Sequence, residues 1–423
     1  MLLRFIHSPA ALRAASAAPL LALCAACGGG SDSAPPAPVA PSISAQPASI
    51  TVSTGSGATF SVAASGSAPL SYQWKRNGAT IAGATSPSLS IGAAALSDTR
   101  GRYSVAVSNP AGSASSSEAT LTVTGIGLFA GHLEETGNSD GPGPAARFNW
   151  PVGLAFDSGG KLLVAERNNT ALRTITPDGM VSTMATDAIE YNWGIATGKD
   201  DTILLVSGSR VNRISPAGTV SLVTEVPLNT GDGRSSMFFL PTGVAADAAG
   251  AVYVTNGVGT RKVGPDGQVT MIEGVNTAES WGTRFYSPRG LATDRNGVVY
   301  LADLTNGISR IDASGKLVRV AGSGAAGSSD GVGTAASFSS ITALAFGPDG
   351  SLFASNYSES GTTIRKVTPA GVVTTVAGGG AASAPFGPLP GRLGYIYGLA
   401  VDKEGALYLS SGHAVFKVQL PPQ

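Results

Sequence analysis

The sequence predicts an all-β chain: a small β-sandwich followed by a six-bladed β-propeller. Three observations carry that expectation. First, a skeleton of Pro-x-Gly-apolar-Ala, tight turn, apolar run, polar loop, second apolar run and Pro-x-Gly occupies residues 148–181 and returns five more times. Its anchoring alanines, Ala155, Ala196, Ala245, Ala292, Ala345 and Ala400, are 41, 49, 47, 53 and 55 residues apart. Repeats of this length with four short strands each are the sequence mark of propeller blades. Second, runs such as GLAF, KLLVAE, ALRTI and VSTMA alternate or are wholly apolar, and Gly, Pro, Asp and Asn break them at short intervals. No window sustains a 3.6-residue apolar period, so helix is expected only in the leader. Third, the last unit stops after its third strand. The missing strand stands before the first unit, as GIGLFAG at residues 125–131, and matches VVTTVAGG of the fifth unit. Residues 126–130 are therefore expected to complete the sixth blade, because a ring closed by both chain ends leaves no free sheet edge.

Taken in order, residues 1–27 combine Arg4 and Arg13 with an Ala/Leu-rich run ending at Ala26. This is a charged n-region and an apolar h-region too short to span a bilayer. The segment Leu23-Cys24-Ala25-Ala26-Cys27-Gly28 resembles a bacterial lipoprotein cleavage box, with Cys24 standing where Leu is usual. The resemblance implies a lipid on Cys27 and the membrane as a partner. Gly28, where Asp would signal otherwise, resembles lipoproteins sorted to the outer membrane. With Cys27 lipidated, no disulfide remains to staple the fold. Residues 28–41, GGGSDSAPPAPVAP, are flexible in the Gly/Ser half and extended in the Pro/Ala half, a spacer reaching about 40 Å.

Residues 42–124 carry short alternating strands, with Trp74 in YQWKRNG and Tyr103 ahead of SVAVSN. They resemble an immunoglobulin-like domain with a core Trp on the third strand and a tyrosine-corner Tyr. Val62 and Val105 occupy the positions where that family places its cysteines, so Trp74 is expected to pack on a Val pair in place of a disulfide. Residues 125–420 resemble NHL repeats, on the phrases Asp140-Gly-Pro-Gly-Pro-Ala-Ala-Arg-Phe148, Pro151-Val-Gly153, LLVAE, ALRTITPDG and VVTTVAGG. The second unit departs from the pattern with Asn192-Trp193-Gly194, and the fifth with Ser340-Ile-Thr-Ala343.

Composition narrows function. Charged residues make up 13% of the 423, and 27 basic groups balance 27 acidic ones. A nucleic-acid partner calls for a basic excess, so none is expected. Of three histidines only His132 and His413 lie beyond the leader, short of the three or four N/S ligands of a zinc site. Asp140, Asp232 and Asp330 recur at corresponding loops, and Asp157, Asp247, Asp294 and Asp402 recur after the innermost strands. Both series read as turn residues before calcium ligands. The basic series Arg213, Lys262, Arg310, Lys366 and Lys417 reads as a repeat feature with packed stems. Neither a nucleophile elbow nor a phosphate-cradling loop is present. No metal, cofactor or catalytic set is expected.

The binding candidates are the residues just before the first Gly of each inner strand: Val152, Trp193, Thr242, Arg289, Thr342 and Tyr397. They vary while the skeleton around them stays fixed. Trp193, Arg289 and Tyr397 combine stacking surfaces with a bidentate donor. Loops between second and third strands add Glu166, Asp303 and Asn356, while Trp150 and Tyr395 read as staples between blades. The leading expectation is an envelope protein that binds a carbohydrate, peptide or protein on the propeller's loop face. The alternatives are a propeller hydrolase or lyase, with or without calcium, acting on a sugar or lactone, and a scaffold of an envelope assembly.

Overall fold

The computed structural model describes residues 36–170, 172–184, 192–198, 200–225, 242–256, 259–272, 290–303, 307–380 and 386–422. Cys27 and Arg289 lie outside them. Among the described residues the fold is all strand apart from three short 3-10 turns, Leu96–Asp98, Gly143–Ala145 and Gly333–Ala335, which the periodicity had not suggested.

The N-terminal unit is a β-sandwich. One sheet is built on Ser71–Arg76, Gly101–Asn109 and the start of Ala119–Gly131; the facing layer pairs Ala58–Ser61 with Ser88–Ile91. The alternation in GRYSVAVSN sets the inward face: Gly101, Tyr103, Val105 and Val107 are buried, while intervening residues are less so. Trp74 is fully buried and donates its indole N–H to Ser86 O at 2.9 Å. It shares one core with Val62, Val105, Phe60 and Tyr103, with Phe60 stacked on Tyr103 at 4.7 Å.

Beyond it, five sheets of like build follow in chain order, each antiparallel from inner to outer strand. The inner strands are Pro151–Phe156, Asn192–Thr197, Gly243–Ala246, Leu291–Thr293 and Ser340–Phe346. Second strands such as LLVAE (Leu162–Glu166) and ILLVS (Ile203–Ser207) are buried throughout, because each blade is covered on both faces by its neighbours. Outer strands are far more exposed: in Met180–Met184 only Val181 is buried. A further set, Gly398–Val401, Leu407–Ser411 and Ala414–Gln419, is completed by the C-terminal half of Ala119–Gly131. It stands between the fifth sheet and the first: Gly398–Val401 touches both Ser340–Phe346 and Pro151–Phe156, and the six inner strands close a ring. Five blades are thus sheets of their own, while the sixth is continuous with the sandwich through one shared strand.

That shared strand explains the joint. Over Ala119 to Leu121 it pairs with Tyr103 to Gly101, and over Leu121 to Thr124 with Ile50 to Ser53; from Gly125 to Gly131 it pairs with Gln419 to Ala414. The hand-over falls at Gly125, at φ +148°, where a Cβ would sit 2.7 Å from Thr54 Cγ2 and 2.8 Å from Gly387 O. Only glycine fits such a conformation at such an approach. Leu96 of the sandwich presses on Gly127, where a Cβ would lie 2.7 Å away. The Arg100–Glu404 pair across the joint, 3.4 Å apart with both side chains about 40% exposed, adds about 0–1 kcal/mol at most. Continuity of the strand, not that ion pair, fixes the orientation.

The strand Gly101–Asn109 also sets direction. Its start follows Arg100, at the propeller. Its far end holds Val39, whose carbonyl accepts from Asn109 Nδ2 at 2.8 Å. Nine residues at about 3.4 Å each separate the incoming chain from the propeller by about 30 Å.

Candidate functional site

Two ends of the propeller differ. At the end facing the sandwich, the turns after the inner strands are closed by their own aspartates. Asp247 Oδ1 accepts from Ala249 N and Ala251 N, both at 2.9 Å; Asp294 accepts from Asn296 N and Val298 N; Asp402 accepts from Glu404 N and Ala406 N. The basic series reaches the same turns: Lys366 Nζ lies 3.0 Å from Asp349 and Lys262 Nζ 3.7 Å from Asp247, with the two ammonium groups over Phe353 and Tyr253. These groups hold the repeat together. The axial opening at this end measures about 760 Å³, with Asp247, Asp294, Arg213 and Arg295 among its walls.

At the opposite end, the loop end, the axis narrows to a throat of about 80 Å³ lined by Val152, Trp193, Thr242, Thr342 and Tyr397. The rule of one residue before the first Gly thus leads to side chains that face one another across the ring. Thr342 is buried, and its hydroxyl is held by Ser355 Oγ and Ile396 O.

Glu166 and Asn356 do not project from loops. Both are wholly buried on their second strands, Leu162–Glu166 and Leu352–Ser358. They do the same job in two blades. Glu166 Oε2 accepts from Asn149 N and from Asn169 Nδ2, and Asn356 Oδ1 accepts from Ser339 N at 2.7 Å. Each ties the inner-strand entry of its blade to the second strand, so neither is offered to a ligand. Asp303 closes the strand Val299–Asp303; its side chain lies outside the described residues.

The same two blades hold a buried arginine that the sequence reading passed over. Arg173 bonds Asp140 at 2.6 Å and Glu166 at 3.1 Å, and also the carbonyls of Arg147 and Ser139. Arg365 bonds Asp330 at 2.8 Å and the carbonyls of Ser337 and Ser329. Each guanidinium lies over a phenylalanine, Phe148 or Phe338. Asp140 and Asp330 are therefore receptors for buried arginines, and more than turn formers. The signal was present: Asp-Gly eight residues before Phe recurs with Arg one position ahead of the basic series. Burial pushes the Glu166 carboxyl up to about 7, against the pull of the Asn149 N–H and the Arg173 charge.

Trp150 and Tyr395, expected only to staple blades, join the loop end's surface. An arc of half-buried rings runs over the fifth, sixth and first blades: Tyr357–Tyr395 at 5.0 Å between centroids, Tyr395–Tyr397 at 4.9 Å and Tyr397–Trp150 at 5.5 Å. Arg167 then bridges Trp150 and Trp193, its guanidinium carbon 5.6 Å and 4.5 Å from their centroids. Trp150 holds φ at +59°, rare for a bulky side chain and a mark of stored strain at functional positions. Two bonds lock it there. Its N–H donates to His413 Nδ1 at 3.2 Å, and its carbonyl accepts from Arg167 N at 2.9 Å. Burial lowers the His413 pKa, which keeps that nitrogen an acceptor at neutral pH. Among the described residues, no three His, Cys, Asp or Glu side chains converge as a metal would require.

Comparison with known proteins agrees on fold. Residues 40–109 match the family model described as an immunoglobulin domain. The chain is similar to an auxiliary nutrient binding protein from Bacteroides ovatus, at 17% identity and TM-score 0.62, over 88% of this chain and 96% of that one. A second auxiliary nutrient binding protein, from Bacteroides thetaiotaomicron, gives 16% identity and TM-score 0.57 over 91% and 98%. A structural-genomics protein from the same organism gives 19% and 0.57 over 92% and 99%. At these identities the likeness speaks for the fold alone. No curated protein matches the sequence.

Proposed function

We propose that this chain is a lipid-anchored protein of the bacterial envelope that binds a carbohydrate, peptide or protein on the loop end of an NHL-type propeller. The observation that carries the reading is the loop-end surface itself. Aromatic rings and an arginine from separate blades meet around the axis, a residue mix typical of binding hot spots. The direction of the sandwich supports it. The chain enters about 30 Å from the propeller, and the loop end faces away from that entry. A lipid on Cys27 and the extended tether would then hold the loop end outward from the membrane, with the sandwich as spacer. Two of the structural neighbours are described as auxiliary nutrient binding proteins, which agrees with a binding role.

The reading is tested by replacing Trp193 and Arg289 with Ala together. The double variant is expected to lose any ligand found in a screen of glycans, peptides and periplasmic proteins. Unchanged affinity removes the loop end from consideration. Intact-mass analysis should find diacylglycerol on Cys27, and Cys27→Ser should release the protein from membranes.

A further inference from the structure

The loop-end arc has a chemistry of its own, and this inference rests on the binding role proposed above. We infer that the arc from Trp193 to Tyr357 takes an acidic glycan, a chain of pyranose rings bearing carboxylates. Arg167 is the reason for the charge. Its guanidinium carbon lies 4.5 Å from the Trp193 ring centroid and 5.6 Å from that of Trp150, and its side chain has no hydrogen bond or ion pair to any described residue. The nearest carboxylate in sequence, Glu166, is buried and engaged by Arg173, Asn149 and Asn169. A guanidinium that lies against aromatic rings keeps its N–H fork, which matches a carboxylate.

The rings are the reason for the sugar. Consecutive centroids lie 4.9 to 5.5 Å apart and the planes are inclined by 50° to 61°, so the row presents a stepped aromatic surface. Such a surface stacks on the apolar faces of pyranoses. The throat beside it, about 80 Å³, is too small to take in a sugar ring, so the chain would lie across the blades. A peptide is less well served. Strand addition needs an unpaired sheet edge, and the edges here are the outer strands at the rim and the inner strands along the narrow axis, not the arc of rings. Strain at Trp150, locked by His413 from the sixth blade, holds the central ring in place before the ligand arrives.

The experiment is affinity electrophoresis and titration of the full-length protein with polygalacturonate, alginate and hyaluronate, each paired with its methyl ester. The expected result is that at least one acid form binds, quenches tryptophan fluorescence, and binds about tenfold or more tighter than its ester. Arg167→Gln should bring the acid down to the ester's affinity, with the thermal midpoint unchanged within a few degrees. Tyr397→Phe and Tyr395→Phe, which keep the rings, should bind within a few-fold of wild type. Equal affinity for acid and ester, still dependent on Trp193, overturns the acidic class and leaves the loop-end reading standing. Binding of poly-glutamate in place of every glycan, with the same dependence on Arg167, overturns the sugar. Binding to none of these probes overturns the inference, while the Trp193 and Arg289 double variant decides the broader reading with its own ligand.

Discussion

Ile126 sits where the ring is sewn shut, and its truncation measures how much that closure contributes. The side chain is 1% exposed, in a core with Leu393, Ile396, Phe416 and Val418. Its backbone exchanges bonds with Gly387 at 2.8 and 2.9 Å and faces Val418 across the ladder. Ile126→Ala leaves those bonds and removes three carbons. At about 0.8 kcal/mol each, transfer alone costs about 2.4 kcal/mol. A residual cavity of some tens of Å³ adds about 1 kcal/mol, which places the loss at about 3–4 kcal/mol. Ile126→Val should cost about 0.5–1.5 kcal/mol, a graded control. Urea unfolding followed by tryptophan fluorescence gives the energies, and amide exchange at residues 126–130 shows whether the strand opens first. A loss below about 1 kcal/mol for the alanine, with unprotected amides in wild type, would refute closure by this strand.

Three further outcomes are expected. Arg365→Met leaves the Ser337 and Ser329 carbonyls without their donor, while half-exposed Asp330 keeps Thr375, and should destabilise by about 1–3 kcal/mol; a double-mutant cycle with Asp330→Ala that finds no coupling would contradict the clamp. Glu166 is held in the fold with its pKa raised to about 7 from 4.5. Between those values the unfolded chain gives up its proton first, so Glu166 makes stability fall as pH rises through that window. Glu166→Gln should remove this part of the fall, and an identical change in urea midpoint from pH 4.5 to 7.5 in both proteins would count against it. Gly125→Ala meets Thr54 and Gly387 O at under 3 Å and should cost well over 1 kcal/mol, read as a lower thermal midpoint; a neutral substitution would mean that the joint bends freely.

What the sequence by itself determined is the local part. The spacing of Ala155 to Ala400, the period-two alternation of GRYSVAVSN and the Asp-closed turns set strands, turns and blade order, because each is decided within a few residues. The missing strand of the last unit and its counterpart before the first are likewise visible by comparison within one chain. The positions ahead of each inner strand pointed to the throat for the same reason: repeats place equivalent residues at equivalent radii.

The tertiary structure decided which polar groups are used up and which are offered. Glu166 and Asn356 looked like loop ligands, but burial turned them into acceptors for their own blades' amides. Arg173 and Arg365 looked ordinary until Asp140 and Asp330 closed on them. Trp150 became part of the surface through a bond to His413, 263 residues away. Backbone geometry is written in neighbouring residues. The partner of a side chain is chosen by what the closed ring brings within reach, and no local pattern records that distance.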